Sequence, residues 1–319
     1  MAILWEVFQQ VFTLFALMGV GFALSKRKLI DNATLKALVA LLVRVVTPCL
    51  IVQAFQRPFE ASRLGALGAA FAISAVVQIA SIGLAAAAFP RTREGWRTLR
   101  FATVFSNAGF MGIPLEQAIL GDDGVFYGAA FVVTFNLVCW SWGVCLMSGS
   151  NREISPKRIF FNPGLLGIAI GLPFFFTSTA LPPVLAEPVK MLADLNTPLA
   201  MVVVGHYLAW AKYGSVLRDV RAWWSAFLRL VAVPAAVVGA FLAFRALAPG
   251  VALDPTLVLA MVIPSAAPVA ALTAIFAVAY NRATATSAGL VAGTTLLSIL
   301  TMPPVIAWAR TVFGFSAAG

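Results

Sequence analysis

One oily segment carries residues suited to close polar contact: Phe105-Ser106-Asn107-Ala108-Gly109-Phe110-Met111-Gly112-Ile113-Pro114-Leu115. Asn107 offers both a donor and an acceptor. Gly109 and Gly112 let backbone or ligand approach, and Pro114 frees a carbonyl about one turn earlier. A second stretch, Ile263-Pro264-Ser265-Ala266-Ala267-Pro268, brackets Ser265 between two prolines. In lipid an unpaired backbone N–H or C=O is costly, so an interrupted helix persists only where it lines a cavity or packs against protein. A half-helix that begins after a break presents free N–H groups and the positive end of its dipole, which favours a carboxylate. Two such ends meeting at mid-bilayer would hold one small anion. The predicted binding set is Asn107, Gly109, Gly112, Pro114, Pro264, Ser265 and Pro268, with Asn136 from the following segment.

Among the ionisable residues within apolar segments, where the default reading is functional, three stand out. Glu116 follows the first break and either carries a coupled proton or faces an outer vestibule. Arg44 either snorkels to the headgroups or lines the cavity. His206 is the only histidine; histidine as a residue type titrates near neutrality, yet packing or an interhelical hydrogen bond is the favoured reading over gating. Asn136, Thr134 and Gln78 either bind substrate or tie helices together. Asp122 and Asp123 are expected in a solvated outer loop.

The elements that position these residues follow from composition. Hydrophobic residues make up 61% of the 319 and charged residues 11%, against about 25% charged in soluble domains. Mean hydropathy is +0.95. A span needs about 20 apolar residues, so about ten fit. The apolar segments run over 5–25, 35–55, 64–89, 99–120, 125–148, 164–181, 198–211, 223–247, 256–280 and 284–309; the seventh is short and predicts a kinked start nearer Leu192. The loops after odd-numbered segments hold 14 Lys and Arg, including Arg93 and Lys212, against 5 in the even loops and C-terminus. Odd loops are then cytoplasmic and both termini face outward.

Residues 149–163 form the longest hydrophilic linker, which divides the chain into five-span halves, 1–148 and 164–319, of opposite orientation. Thr47-Pro48 and Thr197-Pro198 stand 150 apart, as do Pro114 and Pro264. The predicted fold is all-α, ten helices in two inverted repeats with helices four and nine broken and crossing.

The net charge of +10 is spread over alternate loops rather than one face, which argues against nucleic acid. Cys49, Cys139 and Cys145 lie in apolar segments without metal-ligand spacing. Lys26-Arg27-Lys28 follows the first apolar segment, where a cleavable signal has its charges before it. No His-Glu-x-x-His or Gly-x-Ser-x-Gly constellation suggests an enzyme, and no cofactor is implied. A channel would show pore rings, and a sensor has no use for matched breaks.

The run Asn107–Leu115 resembles the fourth-span signature of the auxin efflux carrier family, which includes plant carriers and bacterial malonate permeases. Thr47-Pro48, Asn162-Pro163-Gly164, Pro198-Leu199 with Gly205, and Pro264–Pro268 extend the resemblance over most of the chain. It implies a bile-acid-symporter-like inverted repeat. Spans one, two, six and seven would form a scaffold able to make a homodimer. Spans three to five and eight to ten would form a moving transport domain. A small organic anion, malonate-like, would bind at a crossing made at the prolines, with Asn107, Pro114 and Pro264 as the corresponding positions. The short linker matches bacterial members, in an inner membrane. A sodium-coupled symporter is the alternative.

Overall fold

The computed structural model describes residues 2–92, 95–210 and 218–314. Arg93, Lys212 and the predicted end of the seventh segment at Ala211 lie outside the described residues. Among those described the chain is all-helical, and six helices are long and apolar enough to cross a membrane.

α1 is Ala2–Lys26. α2 (Asn32–Leu41) and α3 (Thr47–Phe55) join through a π-turn at Leu42–Val46. Asp31 caps α2 by accepting the Thr34 N–H, and that bond holds its carboxyl below the ordinary value. α4 is Ala61–Ala88 and α5 is Trp96–Val104. A π-turn at Ala108–Gly112 opens α6, Ile113–Val138. A π-turn at Cys139–Gly143 leads into α7, Val144–Ser148. α8 (Pro156–Phe160) lies in the linker, and α9 is Pro163–Thr177. α10 (Pro183–Asp194) and α11 (Asn196–Ala209) follow. α12 (Val220–Phe227) and α13 (Val233–Leu247) meet at a π-turn, Leu228–Ala232. α14 is Pro255–Ala266, α15 is Leu272–Ala279 and α16 is Thr284–Phe313.

Sequence and structure meet at three places. The short seventh segment, α11, is preceded by α10 and joined to it through the single residue Leu195 (φ −70°, ψ −13°), near the kinked start expected at Leu192. The fourth and fifth segments are separate helices, as the sequence divides them: α6 breaks at Gly121 (φ 64°, ψ −151°), a conformation that glycine alone adopts cheaply, and the chain turns back there so that Gly128 lies against the Glu116 carboxyl. Asp123, just beyond it, is not freely solvated. It pairs with Arg57, and with Arg63 at 2.9 Å.

Two groups of helices result. In one, α1 runs along α11 and α3 along α9. Glycine sets the α1–α11 distance: a Cβ on Gly205 would strike the Met18 carbonyl, and one on Gly21 the Val202 backbone. With lipid outside, such close van der Waals packing is what drives helices together. Likewise Gly167 and Gly171 of α9 receive the side chains of Ile51 and Phe55. Thr47 Oγ1 reaches Asn196 Oδ1 at 3.3 Å and so ties α3 to α11. In the second group α14 lies against α6, α13 and α16. From Leu257 to Ala266 every α14 residue is buried, which suits a helix apolar all round.

Candidate functional site: the paired helix breaks

The breaks in the fourth and ninth segments touch. α5 stops at Val104 and Phe105 turns extended (φ −96°, ψ 109°). α14 stops at Ala266 and Ala267 turns extended (φ −63°, ψ 149°). Ser106 and Val269 then pair as a single antiparallel bridge. The Asn107 N–H donates to the Pro268 carbonyl at 2.6 Å, and the Ala270 N–H to the Phe105 carbonyl at 2.9 Å. Neither strip of backbone could stand alone in lipid; each supplies what the other lacks. Thr294 of α16 completes the support, its Oγ1 accepting the Val269 N–H at 3.1 Å.

Two helix starts leave this bridge. The Asn107 carbonyl accepts from Met111 and Gly112 at the first turn after the break. No side chain caps that turn or the start of α15 at Leu272. At the first start the N–H groups ahead of Met111 are open to a ligand; at the second the Thr273 and Ala274 N–H groups close on the Ala270 and Ala271 carbonyls, which leaves the Leu272 N–H. The hydroxyls of Ser106 and Thr273 are buried beside the bridge without hydrogen-bond partners among the described residues. Asn107 is 6% exposed. A Cβ at Gly109 would meet open space, whereas one at Gly112 would press on Pro264 Cα at 3.3 Å.

Asn107, Gly109 and Pro268 thus stand at the crossing itself. Gly112 and Pro264 are the contact between the segments beside it. Pro268 accepts the bridging bond, whereas Pro114 sits in the first turn of α6, beyond its break, and Pro264 stays helical within α14, ahead of its own. The 150-residue offset between Pro114 and Pro264 is a repeat along the sequence; the backbone contact between the two segments is made by Ser106 and Val269. The Ser265 hydroxyl turns back to the Val262 carbonyl at 2.7 Å, and its own carbonyl accepts from Arg229. Asn136 also spends its amide on its own helix, donating to Val132 at 2.9 Å.

Arg44 and His206 are not brought to the crossing. Arg44 is exposed in the π-turn between α2 and α3. His206 Nδ1 lies 2.9 Å from Ser25 Oγ on the α1–α11 seam, an interhelical hydrogen bond. Glu116 is fully buried in the first turn of α6, and neither carboxyl oxygen has a partner among the described residues.

Sequence reasoning overlooked Arg229. It lies in the π-turn between α12 and α13, is 2% exposed, and reaches the backbone of both broken segments. Its signal was legible: an arginine with long apolar flanks, in neither loop charge group.

No curated protein matches the chain. A family model described as "Membrane transport protein" matches residues 6–158 and 151–306, together nearly the whole length. With that match, the apolar helices and the bridged breaks, the chain is an integral membrane protein and belongs to the membrane transport protein family of the auxin efflux carrier type.

Proposed function

We propose that this transporter carries a small organic anion, a malonate-like carboxylate, across a bacterial inner membrane by alternating access. The observation that carries the reading is the backbone bridge between Asn107 and Pro268, from which two uncapped helix starts emerge beside each other. Their N–H groups and dipoles favour negative charge, and the Asn107 amide adds a donor that can turn toward a carboxylate. Ser106 and Thr273 supply unspent hydroxyls in the same place.

In this reading the chain makes ten spans in two inverted five-helix repeats, with both termini outside. The reciprocal packing of α1 on α11 and α3 on α9 supports it, since a two-fold relation between halves would pair span one with seven and two with six. Spans one, two, six and seven are the scaffold, which carries any homodimer contact. The remainder moves against it with the anion at the crossing.

The test is thermal unfolding of the purified protein against a panel of mono- and dicarboxylates, followed by uptake of the best binder into proteoliposomes. Stabilisation by a carboxylate together with its uptake is expected. No response to any carboxylate, or binding without uptake, would overturn the reading.

A further inference from the structure

Two helix ends of like sign converge behind the crossing. α5 ends at Val104 and α14 at Ala266. The last carbonyls of each lack helical partners, and each end carries roughly half a negative charge. Arg229 is the group that meets both. Its Nη1 donates to the carbonyls of Thr103 at 3.3 Å and Val104 at 3.1 Å, and its Nη2 donates to the carbonyl of Ser265. One turn earlier, Ser225 Oγ lies 2.9 Å from Thr103 Oγ1, which keeps α12 in register with α5. Among the described residues no carboxylate pairs with Arg229.

Backbone carbonyls are hard oxygen ligands. In carriers built on discontinuous helices, half-helix C-terminal ends and unwound carbonyls are what coordinate a coupled alkali cation. Here three such carbonyls from both broken segments surround a guanidinium fixed to the chain. We propose that Arg229 is the resident cation of the crossing, filling a carbonyl cage that would otherwise take sodium. A guanidinium suits the post, because its planar fork bonds several acceptors at once and it is weakly hydrated. The cage then has no room for an exchangeable ion, and the positive charge stays with the protein through every cycle. The meaning of this for transport rests on the carrier reading above. Its test does not, because it measures cation binding by the protein without substrate.

The experiment compares thermal unfolding of the full chain in sodium chloride and in choline chloride at equal ionic strength. Wild type is expected to give the same Tm in both. Arg229→Ala is expected to lose several degrees in choline and to regain most of that loss as sodium is titrated in, saturably. Arg229→Ser, which adds an oxygen to the cage, is expected to respond to less sodium. Two results would overturn the proposal: a saturable sodium stabilisation of wild type, or folded Arg229 variants indifferent to sodium. If neither variant folds in either salt, the wild-type titration still decides, since a sodium response there means the cage is not filled. Failure of the carboxylate panel would leave these outcomes unchanged, so the two readings fail separately.

Discussion

The Asn107 N–H bonds to the Pro268 carbonyl at 2.6 Å, joining residues from opposite halves of the chain through their backbones alone. The bond is half of a two-bond strip of antiparallel sheet set among helices, the other half running from Ala270 to Phe105. Because the fold depends on main-chain atoms here, the Asn107 side chain is free for another task.

Replacing that side chain separates binding from folding. Asn107→Ala keeps the N–H that Pro268 accepts. Carboxylate affinity is expected to fall about tenfold, equivalent to about 1.4 kcal/mol, while Tm without ligand changes little. Calorimetric titration against the best carboxylate checks it; unchanged affinity would remove Asn107 from the site.

Glu116 and Gly128 make a lock of shape. A Cβ on Gly128 would overlap the Glu116 carboxyl. Gly128→Ala is therefore expected to cost about 1–3 kcal/mol, as overpacking does. Glu116→Ala in the same chain should recover most of that cost, giving a coupling of about 1 kcal/mol or more in a double-mutant cycle. Additive losses would show that Glu116 lies elsewhere.

Two glycines with opposite surroundings test the α1–α11 seam. Gly205→Ala must push a methyl into the Met18 carbonyl, whereas Gly19 of α1 faces open space. The first is expected to destabilise by about 1–3 kcal/mol. Gly19→Ala should be neutral or slightly stabilising, since alanine is the better helix former. Unfolding in mixed detergent distinguishes them, and equal effects would contradict the close approach.

Thr294 holds the second break through one hydroxyl. Thr294→Val strands the buried Val269 N–H, with an expected cost of about 1–3 kcal/mol. Thr294→Ser keeps the acceptor and should lose less. Chemical denaturation of the three proteins gives the comparison; a Val variant as stable as the Ser variant would show that the N–H has another acceptor.

The membrane setting, the helical class and the two interrupted segments were readable along the chain, because each is a local property. A run of apolar residues excludes water wherever it folds, and Asn107-Ala108-Gly109 or Pro264-Ser265 weakens a helix by its own chemistry. The sequence also marked His206 as a helix-to-helix tie, although its partner, Ser25, is remote along the chain.

Tertiary structure decided where each break opens and what it meets. Pro114 and Pro264 are themselves helical; the first gap opens at Phe105–Ser106, inside the stretch Phe105–Leu115, and the second at Ala267–Val269, at the end of the stretch Ile263–Pro268. A proline only raises the cost of one helical bond; the chain yields where a partner backbone can take up the freed groups, and that partner is set by packing. The same reason hid Arg229. Its role depends on carbonyls of Thr103, Val104 and Ser265 that no spacing within its own segment reveals, and only folding brings those three oxygens to one guanidinium.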